Sequence, residues 1–126
     1  MANNPKDLKY TKDHEWVKIE GEYAIIGITD YAQSQLGDIV YVELPKVNQK
    51  YNKGETISTL EAVKTAADVY APITCEVIEV NEILKEHPEK VNQEPYGAGW
   101  IAKVKILNKN ELNELLNAEK YENLIQ

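Results

Sequence analysis

A lysine surrounded by small side chains is the residue whose position best supports a specific chemistry. Lys64 stands midway between two strand-like runs, with no glycine or proline in the turn, in the segment Leu60-Glu61-Ala62-Val63-Lys64-Thr65-Ala66-Ala67-Asp68-Val69. A modifying enzyme can reach an ammonium at such a hairpin tip from several directions, and acylation would turn the side chain into a long, uncharged tether. An ordinary solvated turn lysine would show the same spacing, so spacing alone does not decide between the two interpretations.

The other reactive residue types form no recognisable catalytic or metal-binding arrangement. The sequence has no nucleophile elbow and no zinc-binding His-Glu-x-x-His motif, and its six glycines are scattered singly rather than gathered in a phosphate-binding loop. Cys75 is the only cysteine, and with His14 and His87 it gives no metal-ligand spacing. We therefore expect no independent active site.

Short apolar or alternating runs separated by turn residues predict a mainly β fold around Lys64. The last run alternates most clearly, because its apolar residues would share one face while Lys103 and Lys105 point to the other. The predicted strands are Glu15–Glu20, Tyr23–Ile28, Ile39–Leu44, Thr56–Glu61, Asp68–Ala71, Glu76–Val80 and Trp100–Ile106.

Two helices are predicted to interrupt the strands. The first covers Asp30–Leu36, with Thr29 as its N-cap and Gly37 at its C-terminal end. The second covers Glu111–Tyr121, with Asn110 as its N-cap. An i, i+3, i+4 stripe in the second helix should pack on the β core, because a helix of this length is marginal alone. The stripe consists of Leu112, Leu115 and Leu116.

Length and charge set the remaining expectations. A chain of 126 residues fits one domain over 1–126, with a β core at about 8–107 and the C-terminal helix at 110–121. No run approaches the roughly 18 apolar residues of a membrane span, and Met1–Asp7 has no secretory apolar segment, so we expect a cytoplasmic protein. A net charge of −7 opposes binding to nucleic acid or anionic membranes. We also expect a monomer.

The lysine segment matches a known motif. The stretch from Glu61 to Asp68 resembles the lipoyl-lysine signature of glycine cleavage H-proteins, which is Glu-(Ser/Ala)-Val-Lys followed by Asp-(Ile/Val). The resemblance runs from about Leu8 to the C-terminal helix. Further matching segments are Tyr10-Thr11-Lys12-Asp13-His14-Glu15-Trp16-Val17, Gly27-Ile28-Thr29-Asp30-Tyr31-Ala32-Gln33, Leu36-Gly37-Asp38-Ile39-Val40-Tyr41-Val42-Glu43-Leu44-Pro45, Glu76-Val77-Ile78-Glu79-Val80-Asn81 and Pro95-Tyr96-Gly97-Ala98-Gly99-Trp100.

This resemblance implies a fold, a cofactor and partners. It implies a flattened β-barrel, or barrel-sandwich hybrid, of two sheets with short helices and a C-terminal helix, and lipoic acid covalently attached to Lys64. It implies a carrier rather than an enzyme, which takes an aminomethyl group from a pyridoxal-phosphate glycine decarboxylase to a tetrahydrofolate-dependent aminomethyltransferase. Dihydrolipoyl dehydrogenase would then reoxidise the arm, and a lipoate or octanoyl ligase or transferase would attach it.

Two acidic residues acquire expected roles from the same resemblance. Family members fold the amine-bearing arm into a cleft near a glutamate and an aspartate, which correspond here to Glu15 and Asp68. The alternatives are a solvated strand carboxylate for Glu15 and a side chain that accepts local backbone amides for Asp68. His14 and Trp16 are expected to be packing residues.

Other interpretations of the lysine remain open. A lipoyl domain of a 2-oxoacid dehydrogenase or a biotinyl domain would show Asp-Lys-Ala or Met-Lys-Met, whereas this chain has Val63-Lys64-Thr65. A carrier that also passes its acyl arm to other carriers fits the same sequence. A Schiff-base lysine would need a buried or charge-crowded amine, and a purely structural β-barrel would leave the lysine unmodified.

One position departs from the family pattern. Cys75 replaces a glycine that is usual in the segment before the strand Glu76–Val80. If this turn needs a positive φ, the substitution costs roughly 1–2 kcal/mol. We expect Cys75 to serve as a small apolar residue rather than in redox chemistry.

Overall fold

Strands dominate the computed structural model, which describes residues 4–126. The longer strands are rich in the β-branched and aromatic residues that suit a pleated, half-buried surface. The strands are β1 Lys9–Tyr10, β2 Glu15–Glu20, β3 Tyr23–Ile28, β4 Ile39–Glu43, β5 Lys50–Tyr51, β6 Thr56–Ala62, β7 Ala66–Tyr70, β8 Cys75–Val80 and β9 Ala102–Ile106. The helices are α1 Asp30–Leu36, α2 Lys90–Gln93 and α3 Ala118–Ile125, with 3₁₀ helices at Glu82–Lys85 and Lys109–Glu114.

The strands form two antiparallel sheets. The larger sheet has six strands in the order β1-β2-β3-β9-β8-β5, and the smaller sheet has three in the order β4-β6-β7. The two sheets do not join into a closed barrel, so the barrel-sandwich hybrid describes this architecture better than a barrel does. The mainly β fold of two sheets with short helices is confirmed.

A hydrophobic core fills the space between the sheets. Val17, Ile26 and Val104 of the large sheet belong to the same buried cluster as Val42 and Leu60 of the small sheet. A second cluster lies where α3 meets the large sheet, and it contains Leu8, Tyr10, Trp16, Ala118 and Tyr121. The two clusters hold the small sheet and the C-terminal helix against the same large sheet.

Helix α1 has the predicted bounds because local signals specify both of its ends. The side chain of Thr29 accepts a hydrogen bond from the backbone N–H of Ala32, as an N-cap does. At the other end Gly37 has a φ of 81°, and its N–H donates to the carbonyl of Gln33. Within residues 4–126, no helix is long and apolar enough to cross a membrane.

The predicted helix over Glu111–Tyr121 is wrong. The 3₁₀ helix Lys109–Glu114 starts from Asn108, not Asn110, and α3 starts only after Asn117. Between them the chain is extended, because Leu116 exchanges backbone hydrogen bonds of 2.7 and 2.8 Å with Tyr10 of β1. Cross-strand pairing and two asparagine caps therefore override the helical spacing of the leucines.

Several strand boundaries also differ from the prediction. Strand β7 begins two residues earlier than expected, β9 begins at Ala102, and the two-residue strands β1 and β5 were not predicted. Cys75 lies inside β8, opposite Tyr51 and Ile106, rather than in a turn. Its φ is not positive, so the missing glycine causes no left-handed strain. The side chain is fully buried, and this burial raises the pKa of its thiol to about 12.

We predict that Gly27→Ala destabilises the fold by roughly 1–3 kcal/mol, because an added Cβ would overlap the ring of Trp16. That Cβ would lie 2.7 Å from Nε1 of Trp16, which donates to the carbonyl of Pro95 at 2.9 Å. Urea unfolding followed by tryptophan fluorescence measures the loss. The control is Gly97→Ala, whose Cβ would meet only the flexible Glu94 side chain. Equal stability of the two variants would contradict the close approach at Gly27.

Candidate functional site

Lys64 lies at an exposed hairpin tip between β6 and β7, as the sequence predicts. Glu61 pairs with Ala66, and the N–H of Ala62 donates to the carbonyl of Thr65 at 2.7 Å, so Val63 and Lys64 form the tip. Neither tip residue has a positive φ, which explains why this turn contains no glycine. Lys64 is exposed and the Val63 side chain is 76% exposed, so the tip projects from the protein surface.

The tip rests on the turn between α1 and β4. The N–H of Val63 donates to the carbonyl of Asp38 at 3.0 Å. The Cε atom of Lys64 lies 3.4 Å from the point that a Cβ on Gly37 would occupy, so a glycine here leaves room for the lysine stem. The hairpin is therefore attached to the end of α1 by a backbone hydrogen bond and a side-chain contact.

Asn92 of α2 holds this turn in place through its side-chain amide. Its Oδ1 accepts the N–H of Ile39 at 2.9 Å, and its Nδ2 donates to the carbonyl of Gly37 at 2.8 Å and to Oε1 of Gln33 at 3.0 Å. Three hydrogen bonds from one amide fix both sides of the turn on which the Lys64 hairpin rests. No local signal in the sequence marks Asn92, because its partners are more than fifty residues away in the chain.

A cleft of about 250 Å³ opens next to the hairpin. Leu36, the residue before Gly37, belongs to its wall, so one end of the cleft lies beside the Lys64 stem. The wall combines apolar side chains with two predicted site residues, Glu15 and Asp68. The remaining lining residues are Asp13, His14, Ile28, Tyr31, Ala32, Gln35, Leu60, Ala67 and Val69.

Glu15 is a buried residue whose carboxyl group belongs to the lining of this cleft. Its side chain accepts the hydroxyl of Thr11 at 2.5 Å and the backbone N–H of Tyr70 at 3.2 Å, and the residue is only 2% exposed. Burial raises the pKa of this carboxyl to about 7, although both hydrogen bonds act in the opposite direction. The alternative of a solvated strand carboxylate is therefore wrong.

Asp68 reaches the same cleft from the exposed strand β7. It accepts the hydroxyl of Thr59 across the sheet at 3.2 Å, rather than local backbone amides. Because it follows Lys64 by four residues, its Cα lies within roughly 13 Å of the Cα of Lys64. The structure thus brings the two predicted acidic residues together from different sheets.

The neighbours of Glu15 have different roles. Trp16 is 2% exposed in the second cluster, so its predicted packing role is confirmed. His14 packs against Tyr31 and Tyr121, but it also lines the cleft and has a φ of 72°. Its Nδ1 atom is 2.8 Å from the hydroxyl of Tyr121. No local signal in the sequence predicts this contact, which joins residues 107 positions apart.

A match to a family model identifies the protein family of this chain. The model of the family described as "Glycine cleavage H-protein" matches residues 8–126. The chain belongs to the glycine cleavage H-protein family. Membership confirms the lipoyl-carrying role in the glycine cleavage system that the sequence resemblance implied, and it assigns the chain to a family of carrier proteins.

Individual relatives agree along nearly the whole chain. The chain is 52% identical over 126 residues to the glycine cleavage system H protein of Carboxydothermus hydrogenoformans, covering 100% of this chain and 97% of the relative. It is also 52% identical over 119 residues to the protein of the same name from Halothermothrix orenii, covering 94% of this chain and 93% of the relative.

The fold agrees with a solved H-protein structure. The crystal structure of a glycine cleavage system H protein from Mycobacterium marinum superimposes with a TM-score of 0.85 at 35% sequence identity. The match covers 94% of this chain and 96% of the other. The two-sheet architecture described above is therefore the H-protein fold.

We predict that Glu15 makes stability fall as pH rises from about 4.5 to 7. Its folded pKa of about 7 exceeds the ordinary value of 4.5, so folding favours its protonated form and the stabilising proton is lost across this window. In urea unfolding at pH 4 to 8, the free energy of unfolding of Glu15→Gln should rise relative to that of the original chain as pH increases, by up to about 3 kcal/mol. Glu20→Gln, at the exposed end of β2, is the control and should gain nothing. Parallel profiles for Glu15→Gln and the original chain would contradict the raised pKa.

Proposed function

We propose that Lys64 carries covalently bound lipoic acid and that its arm folds into the cleft beside the hairpin. The observation that supports this most strongly is the position of an exposed lysine stem against Gly37, at the end of a cleft with two carboxyl groups. The arm would deliver the aminomethyl group of decarboxylated glycine between enzymes. The carrier itself supplies attachment, orientation and recognition rather than catalysis.

The residues around Lys64 suit a lipoyl group. The amine projects from a surface tip, where a ligase or transferase can reach it, and it forms no ion pair with any group of residues 4–126. Apolar side chains of Leu36, Leu60 and Val69 line the cleft and can cover the hydrocarbon part of the arm. When bound, the group supplies a disulfide that accepts the aminomethyl unit and is thereby reduced.

Glu15 and Asp68 are the proposed partners of the amine on the loaded arm. Both side chains only accept hydrogen bonds when ionised, so together they favour an ammonium over a neutral amine. A cation beside Glu15 lowers the pKa of that carboxyl from about 7 toward its ordinary range. Glu15 therefore ionises as the amine enters. Because water is largely excluded at Glu15, this attraction exceeds that of an exposed pair.

The proposed partners follow from the carrier role. They are a pyridoxal-phosphate glycine decarboxylase, a tetrahydrofolate-dependent aminomethyltransferase, dihydrolipoyl dehydrogenase, and a lipoate or octanoyl ligase or transferase. Tethering raises the local concentration of the reactive group at each partner, while the globular part provides the surface that each partner recognises. The cytoplasmic location and the monomeric state stay predictions from the sequence.

We predict that Lys64→Arg abolishes acyl loading and leaves the fold intact. Arginine keeps the charge and nearly the length, but its guanidinium does not replace the amine that the ligase acylates. Intact mass after reaction with a lipoate ligase, lipoic acid and ATP is the measurement. Lys46→Arg, which changes another exposed lysine, should load normally. Acyl mass on the Lys64→Arg protein would place the attachment elsewhere, and a lost thermal transition would mean that Lys64 is structural.

We predict that Glu15→Gln combined with Asp68→Asn accelerates loss of the amine from the loaded carrier. Without the two carboxylates the neutral amine becomes more populated, and ammonia and formaldehyde should be released roughly tenfold faster near neutral pH, as for about 1.4 kcal/mol of lost stabilisation. Release is followed by ammonia assay, and ligase loading is measured in parallel. The control is Glu20→Gln with Glu79→Gln, which changes the net charge equally at exposed positions that do not line the cleft. Equal release rates would exclude this role for the pair.

A further inference from the structure

Three polar groups from distant parts of the chain meet behind the cleft. The hydroxyl of Tyr121, on α3, lies 2.7 Å from Oγ1 of Thr29 and 2.8 Å from Nδ1 of His14. Thr29 is the N-cap of α1, and its Oγ1 also accepts the N–H of Ala32 at 3.2 Å. Tyr121 and Thr29 are both fully buried, so their hydroxyl hydrogens must be donated within the protein.

This geometry determines where the hydrogens lie. If Thr29 donates to Tyr121, and Tyr121 donates to Nδ1 of His14, each hydroxyl has an acceptor. If His14 instead donated to Tyr121, and Tyr121 donated to Thr29, the hydroxyl hydrogen of Thr29 would have no acceptor among the contacts of residues 4–126. The chain of hydrogen bonds therefore makes Nδ1 an acceptor and leaves the hydrogen of a neutral imidazole on Nε2.

The backbone holds His14 in a conformation that few side chains adopt. Its φ of 72° lies in the left-handed region, and its N–H and C=O bond to Thr11 and Thr29 at 3.1 and 3.0 Å. Its ring packs against Tyr31 and Tyr121, and Asp13 is the charged group that acts on it. His14 is among the residues that line the cleft, as Asp13 and Glu15 are. Because Nδ1 is bonded to Tyr121, Nε2 is the nitrogen left for a ligand.

We propose that His14 is a further binding residue of the cleft, and that Tyr121 positions it with Nε2–H as a donor toward the sulfur end of the folded arm. This inference rests on the proposed function. Glu15 and Asp68 can bind the ammonium, but as carboxylates they offer nothing to an acceptor. The sulfur atoms are the acceptors nearest the amine, and His14 is the sequence neighbour of Glu15. Burial also lowers the pKa of His14, which favours the uncharged ring.

The positioning role can be measured without the arm. Nitrogen chemical shifts of His14 in the unmodified protein should show the Nε2–H tautomer across neutral pH. Tyr121→Phe removes the donor to Nδ1 and should mix the two tautomers. Tyr10→Phe is the matched control, because Tyr10 stacks on Tyr121 at 4.8 Å but donates its hydroxyl to the carbonyl of Pro5. A predominant Nδ1–H tautomer in the original chain, or an unchanged tautomer in Tyr121→Phe, would overturn the inference.

The binding role requires the loaded carrier. In His14→Asn the side-chain oxygen can replace Nδ1 as the acceptor for Tyr121, and asparagine tolerates the left-handed conformation, but no group replaces Nε2–H. We expect His14→Asn and Tyr121→Phe each to release ammonia roughly fivefold faster from the loaded arm, as for one lost hydrogen bond. Tyr10→Phe should release it at the original rate.

The outcomes separate this inference from the proposed function. An original chain whose Lys64 takes no lipoyl group would refute the proposed function, while the tautomer of His14 would remain measurable. Normal loading with unchanged release in His14→Asn would refute the binding role of His14 alone. A thermal unfolding curve shows whether each variant is folded at the assay temperature, and so whether its release rate reflects a disordered cleft. If Tyr121→Phe is not folded there, the folded His14→Asn variant decides the result.

Discussion

A hydrogen bond to a buried carboxyl group joins the two sheets of this protein beside its cleft. Glu15 begins β2 of the large sheet and accepts the backbone N–H of Tyr70, the last residue of β7 in the small sheet. It also accepts the hydroxyl of Thr11, from the turn that leads into β2. An apolar residue here would leave both donors without their acceptor, which costs about 1–3 kcal/mol for each group that stays buried. One side chain therefore contributes both a hydrogen bond between the sheets and a buried acidic group of the cleft.

The second constraint is the placement of Lys64, the proposed attachment point, relative to that carboxyl group. A flexible arm samples its own cleft efficiently only if the tether begins near the cleft and the hairpin that carries it is held in place. Here the hairpin is bound to Asp38, and Asn92 fixes the residues on either side of that position. Gly37 adds a surface without a Cβ, over which the Lys64 stem passes. The proposed arm would therefore begin at a rigidly supported residue.

Local signals in the sequence were sufficient for much of this arrangement. Thr29 and Gly37 specify both ends of α1. Two strand-like runs on either side of a stretch of small residues locate the hairpin of Lys64. These signals were sufficient because they act through neighbours in the chain. The C-terminal segment was mispredicted because Leu116 pairs with Tyr10, more than one hundred residues earlier. The same limit hid Asn92 and Tyr121, whose hydrogen bonds appear only once distant segments have packed. The burial of Glu15 was also invisible, since a charged residue at a strand start usually faces water.

The cost of burying Glu15 is connected to the proposed function. A carboxyl group with a raised pKa weakens the fold whenever it must ionise, so an empty cleft is least favourable above neutral pH. A cationic amine that binds only to the folded protein offsets this cost, because ligands that bind the native state stabilise it. The same carboxyl then contributes more to holding the amine than an exposed carboxylate could, because fewer water molecules compete for it. Under the proposed function, the unloaded carrier is therefore less stable than it would be without the buried carboxyl. In return, the loaded carrier favours the charged amine over the uncharged form, from which ammonia is lost.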